Sequence, residues 1–223
     1  MTYIFLALIV YLISAIPFGW VWTKLFTGKN LRESGSGNIG TANTMRVSKP
    51  LGVLTLICDA AKAWISYAAV VAIMPYLPQI AMPDHAVRIC VVGIAVIAHC
   101  FPVYLKFHGG KGIATIFGGF LLISPIVAIF GLGVYLAVAL ATRMSALGSV
   151  CAVVFGSIFA VFYTHSAAAG WLAVMLMGLI TWLHRGNLQR IANGTENKLP
   201  RKSILLIAAG TIAIAAAAVL IIL

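Results

Sequence analysis

The chain has 223 residues, of which 62% are hydrophobic and 9% charged, too little polar surface for a soluble domain of this length. No polar stretch reaches even about 40 residues, so an independent soluble domain is excluded and a membrane domain remains. Four acidic residues (Glu33, Asp59, Asp84, Glu196) stand against fifteen basic ones. The formal charge of +11 suits anionic lipid headgroups or phosphorylated substrates rather than nucleic acid. So few carboxylates cannot hold paired hard cations, and Cys58, Cys90, Cys100 and Cys151 are too scattered for a zinc or redox motif. Neither a metal nor a cofactor is expected.

Taken in chain order, apolar stretches fall at about 3–26, 51–76, 86–104, 113–142, 145–163, 168–183 and 204–223. Met1 to Trp22 carries no charge ahead of its apolar run and no small-residue cleavage site, so the first stretch reads as a retained span. The fourth stretch, at 30 residues, exceeds one crossing, and Ser124-Pro125 sits near its middle, where proline removes a helix hydrogen bond. Charge decides between one crossing and two. With two, thirteen of the fifteen basic residues share one side; Lys62 lies within a span and only Arg88 faces the other side. The positive-inside rule selects that arrangement and makes the basic side cytoplasmic. The sequence therefore predicts an all-α polytopic membrane helix bundle with both termini outside. It has a seven-segment core, with one short segment at about 113–123, and an extra C-terminal transmembrane helix. Residues 1–202 form the main domain and 203–223 the addition.

Polar residues collect in three cytoplasmic stretches, two of them glycine-rich: Gly35-Ser36-Gly37-Asn38-Ile39-Gly40 and Gly109-Gly110-Lys111-Gly112. Glycine lets backbone N–H groups approach an anion, and a helix beginning after Lys111 adds its N-terminal donors. The nucleotide-binding lysine loop is absent, since Gly112 follows Lys111 where that pattern needs Ser or Thr. Ser36, Asn38, Thr41, Asn43 and Arg46 add uncharged donors and a planar fork, and Lys106 and Lys111 add point charges. The third stretch holds His184, Asn187 and Arg190 at helical spacing, then Glu196, read as a partner for loop arginines. Asp59 and Lys62, three residues apart within the second span, are expected to pair or to brace a loop. His99 reads as a helix-packing residue, and His85 and His165 as incidental.

Together these stretches resemble the signature of the bacterial acyl-phosphate: glycerol-3-phosphate acyltransferases, over about residues 3–198. The family's S-G-N-x-G-A-T-N-x-x-R is matched from Ser36 to Arg46, with threonine and alanine exchanged at Thr41-Ala42. K-F-x-G-G-K-G-V-A-T is matched from Lys106 to Thr115, and H-x-x-N-I-x-R-L-x-x-G-x-E from His184 to Glu196, with conservative aliphatic changes. The resemblance implies transfer of a fatty acyl group from acyl phosphate to the 1-hydroxyl of glycerol 3-phosphate, without metal or nucleotide, in the bacterial inner membrane. Ser36, Arg46, His184 and Asn187 inherit roles close to catalysis. Gly37, Asn38, Gly40, Thr41 and Asn43 are expected at the acyl phosphate, and Lys106, Gly109, Gly110, Lys111, Gly112 and Thr115 at glycerol 3-phosphate. Glu196, Asp59 and Lys62 are expected to support the site, with membrane lipids as the remaining partners. Residues 204–223 exceed the family's usual extent and are expected to cross the membrane outside the catalytic core. The rival reading is an organic-phosphate transporter. It would place polar groups near the bilayer midplane and show paired repeats, whereas here they crowd at one interface and no repeat is visible.

Overall fold

A computed structural model describes residues 1–77 and 82–222, and among these every regular element is helical. In order they are α1 (Thr2–Ser14), α2 (Phe18–Thr27), α3 (Thr41–Val47), α4 (Lys49–Ile73), α5 (Asp84–Cys100) and α6 (Ile113–Ile123). Then follow α7 (Pro125–Thr142), α8 (Ser145–Tyr163), α9 (Ala167–Leu183), α10 (Arg185–Ala192) and α11 (Arg201–Ile222). Large apolar side chains such as Ile4, Phe162, Trp171, Met175 and Ile212 are exposed, as lipid-facing residues are when no bilayer covers them.

The long fourth stretch is two helices. Ser124 is extended and caps α7, and Pro125 occupies the first turn, where its missing N–H costs nothing. The 11 residues of α6 reach only about 16 Å, half a bilayer core. Its last turn is held by Arg88, which donates to the Leu122 carbonyl at 3.1 Å while paired to Asp84 at 2.7 Å. α6 is wedged between α4 and α5. A Cβ on Gly118 would strike the Ala60 backbone, and the Gly118 carbonyl accepts from the Trp64 indole at 2.8 Å.

The first stretch is one span, Thr2–Thr27, as expected, but its helix is interrupted within it. The chain breaks between α1 and α2, with Pro17 preceding the second helix. This break lets Gly19 pack against the Ile39 carbonyl and the Thr44 hydroxyl, leaving no room for a side chain, so α2 becomes a support for the first polar loop. α9 and α10 meet at a 57° bend at His184, so the helix leaves the span there and runs on as the third polar stretch. Asp59 and Lys62 do pair, at 2.9 Å, with Lys62 also 3.0 Å from His99 Nδ1. These three buried groups tie α4 to α5.

α11 departs from the peripheral position expected of it. It packs against α4, α6 and α7, and Ile204, Ile207, Thr211, Ala215 and Ala218 are buried.

Candidate active site

One continuous cavity begins among the three polar stretches and runs down between helices. Its mouth is lined by Ser36, Asn38, Gly40, Thr41, Arg46, Lys111, Gly112, His184, Asn187 and Glu196, so segments separated by more than a hundred residues converge. Below them the walls are apolar: Ile116 and Phe120 of α6, Val127 and Leu132 of α7, Val153 of α8 and Leu176 of α9.

The first loop is built around Asn43, which is buried. Its Nδ2 donates to the carbonyls of Ser34 (2.9 Å), Asn38 (2.8 Å) and, more weakly, Leu31 (3.2 Å), and its Oδ1 accepts from the Ser36 N–H at 2.9 Å. The side chain of Asn43 thus holds the loop's shape and has little capacity left for a ligand. Gly35 and Gly37 take positive φ (56° and 71°), which lets the loop turn back over α3. Thr41 lines the cavity, and its enclosed hydroxyl has no partner among the described residues. Arg46 stands at the mouth, its guanidinium pKa lowered by partial burial and raised again by Glu196.

The second stretch divides into two parts. Lys111 and Gly112 line the cavity together with Ile113 and Ala114 of the uncapped first turn of α6. Gly109 and Gly110 do not. Their N–H groups donate to the carbonyls of Cys100 (3.0 Å) and His99 (3.1 Å), closing the end of α5, and a Cβ on either would strike that end. This corrects the expectation that these two N–H groups point at an anion. Their glycines serve the close packing of the loop on α5. Lys106 is exposed and outside the cavity, and Thr115 is buried without lining it, its hydroxyl having no partner among the described residues. Gly37 shapes the first loop without lining the cavity.

In the third stretch the side chains form a relay. Lys111 Nζ donates to Asn187 Oδ1, Asn187 Nδ2 donates to Glu196 Oε1 at 2.7 Å, and Arg190 donates to Glu196 Oε2 at 2.9 Å. Burial pushes the Lys111 ammonium down to about 8, with Glu196 opposing and Arg190 reinforcing the shift. His184 is buried, and its Nδ1 lies 2.8 Å from the Ile180 carbonyl. A carbonyl only accepts, so Nδ1 carries the proton and Nε2 keeps a free lone pair. Burial pushes this imidazole down to about 4, helped by the charge of Lys111 and opposed by the Ile180 bond and Glu196. The site thus contains a neutral base and a lysine whose proton is held less tightly than usual.

Sequence reasoning missed several lining residues. Asp59 was expected only as support and His99 only in packing, yet both reach the cavity. Tyr135 and Ser145, hydrogen-bonded at 3.0 Å, and the apolar wall were also missed. The small residues Gly131 and Gly156, which line the cavity on α7 and α8, were the available signal for a cleft there.

The sequence profile of the glycerol-3-phosphate acyltransferase family matches residues 4–194. The chain is similar to the glycerol-3-phosphate acyltransferase of Syntrophotalea carbinolica, with 42% identity over 84% of this chain and 93% of that one. It is also similar to that of Myxococcus xanthus, with 37% identity over 86% and 97%. Among solved structures it resembles PlsY, an integral membrane glycerol 3-phosphate acyltransferase, in its glycerol 3-phosphate form. That match has a TM-score of 0.79 and 30% identity, covering 92% of this chain and 99% of that one. The lysophosphatidic acid form matches with a TM-score of 0.76. With a profile spanning most of its length and relatives this similar over nearly their whole chains, the protein belongs to the glycerol-3-phosphate acyltransferase family.

Proposed function

We propose that the protein moves a fatty acyl group from acyl phosphate to the 1-hydroxyl of sn-glycerol 3-phosphate, giving lysophosphatidic acid and inorganic phosphate for phospholipid biosynthesis. The site would face the cytoplasm from the inner membrane. The observation carrying this reading is the continuity of the cavity: a polar mouth holding Arg46 and Lys111 opens directly into an apolar tube. A donor with a phosphate head and a fatty tail matches both halves, with burial of each methylene worth about 0.8 kcal/mol. The glycerol 3-phosphate and lysophosphatidic acid forms of the solved relative support the acceptor and the product.

In this reading Lys111 and the first turn of α6 hold the phosphate of glycerol 3-phosphate, and the Asn187–Glu196–Arg190 relay aims the ammonium. Arg46, Ser36 and the unpartnered Thr41 hydroxyl hold the donor phosphate, on a loop that Asn43 keeps in shape. The acceptor hydroxyl attacks the acyl carbon, the carbon–oxygen bond to phosphate breaks, and the hydroxyl proton passes to His184 Nε2. Phosphate is a good leaving group, so alignment supplies most of the catalysis, roughly 7 to 11 kcal/mol where reacting atoms sit at attack distance.

The test is release of inorganic phosphate from palmitoyl phosphate by purified protein. The reading requires release that depends on added glycerol 3-phosphate and matches lysophosphatidic acid formed. Acyl transfer from a thioester donor with none from acyl phosphate would overturn the donor assignment.

A further inference from the structure

We propose that α11 is the lateral wall of the acyl cavity and helps set the length of acyl chain this protein accepts. The inference deepens the proposed function and rests on its reading of the apolar tube as the acyl site.

The argument starts from a seam. α4 and α7 scarcely touch each other, yet both border the cavity, through Leu56 on one side and Val127, Ala128 and Leu132 on the other. α11 packs against both and closes the gap between them. Its inward stripe is Ile204, Ile207, Thr211, Ile214, Ala215 and Ala218, at the spacing of one helix face. Leu205, Ile212, Leu220 and Ile221 are exposed on the remainder, as lipid-facing residues are. Ile207 and Thr211 line the cavity itself. The Thr211 hydroxyl is folded back on its own helix, donating toward the carbonyls of Ile207 (2.8 Å) and Ala208 (3.0 Å), so it needs no partner across the cavity.

The wall is anchored. Before α11 begins, the Leu199 N–H donates to the Arg143 carbonyl at 2.8 Å, and Arg143 Nε donates back to the Leu199 carbonyl at 3.2 Å. Leu199 and Ile204 are fully buried beside them, which locks the start of α11 to the α7–α8 turn. Thr211 lies ten residues into the helix, roughly 15 Å from its start and so near the middle of a bilayer core of about 30 Å. Residues at that depth meet the body of a fatty chain rather than its head. The family profile ends at residue 194, so this wall lies outside the part of the chain that the profile describes.

Bulk added at Thr211 should therefore discriminate against long chains. The readout is the ratio of kcat/KM for palmitoyl and decanoyl donors, measured on the full-length protein with acyl phosphates and with acyl thioesters. Thr211→Phe is expected to lower the palmitoyl-to-decanoyl ratio by about tenfold or more, the range over which a few methylenes are discriminated in an apolar pocket. Thr211→Leu should give a smaller shift of the same sign and stands in if the phenylalanine variant does not fold. Ile212→Phe, on the lipid face, should leave the ratio at its wild-type value. An unchanged ratio in folded Thr211 variants would overturn the wall while leaving the donor assignment intact. Transfer from thioesters alone would overturn the donor while leaving the ratio to be read, and no transfer from either donor class would overturn both.

Discussion

Burial lowers the pKa of His184 and of Lys111, and the consequences for the two groups run in opposite directions. A base must be neutral to accept a proton, so a histidine held near 4 is ready across the physiological range. His184→Gln should cut kcat by about 10²–10⁴-fold with a much smaller change in the half-saturating glycerol 3-phosphate concentration. A variant with full turnover would move the proton acceptor to a substrate phosphate. Lys111 must instead be protonated to hold a phosphate, and its pKa of about 8 in the free protein sets an upper limit. For glycerol 3-phosphate, kcat/KM should rise as the substrate becomes a dianion near about pH 6 and fall as pH passes about 8. Arginine stays charged far above that range, so Lys111→Arg should remove the limb near 8, at a lower plateau because a planar fork replaces a point charge. An alkaline limb unmoved in that variant would assign it to another group.

Helices and loops here depend on a few polar residues buried where apolar packing cannot fix a position. Asn43 is the clearest: Asn43→Asp removes the donors that three loop carbonyls share and adds a charge beside them. The variant should lose most activity while keeping its spans, with faster protease cleavage in 28–40 as the measurement. Asp59 and Lys62 of α4 join it to α5 through His99. Lys62→Met should destabilise by about 3–5 kcal/mol, because the buried Asp59 carboxylate loses its lysine and keeps only His99, 3.6 Å away, and adding Asp59→Asn should restore part of that loss. Unfolding in detergent measures both. The break at Ser124-Pro125 was legible because proline interrupts a run too long for one span. Pro17 was not, because the apolar run continues through it and the reason for the break, Gly19 against Ile39, lies twenty residues further on. The glycine loop was half legible for a similar reason. Composition revealed a tight turn, but whether each N–H meets a ligand or the end of α5 depends on a tertiary contact.

Across the molecule, the basic side chains and the cavity mouth share one end of the bundle. The helix directions alternate so that Lys29, Arg46, Lys111, Arg143, Arg190 and Lys202 come to one face, while Arg88 is paired with Asp84 at the other. That end-to-end asymmetry was readable from the sequence because orientation follows counted charges. The depth and course of the cavity were not, because its apolar walls look like any other span residues. If the basic end faces the cytoplasm, it meets both the soluble acceptor and the anionic inner leaflet, and the positive-inside rule makes the opposite orientation unfavourable. Cysteine placement tests this in a background with the four native cysteines changed to alanine. Lys29→Cys and Asn193→Cys should react with a membrane-impermeant maleimide in inverted vesicles and not in sealed right-side-out ones. His85→Cys and His165→Cys, exposed at the other end, should show the reverse. Labelling of Lys29→Cys and His85→Cys from the same side would contradict the number of crossings, and with it the convergence of the three polar stretches on one cavity.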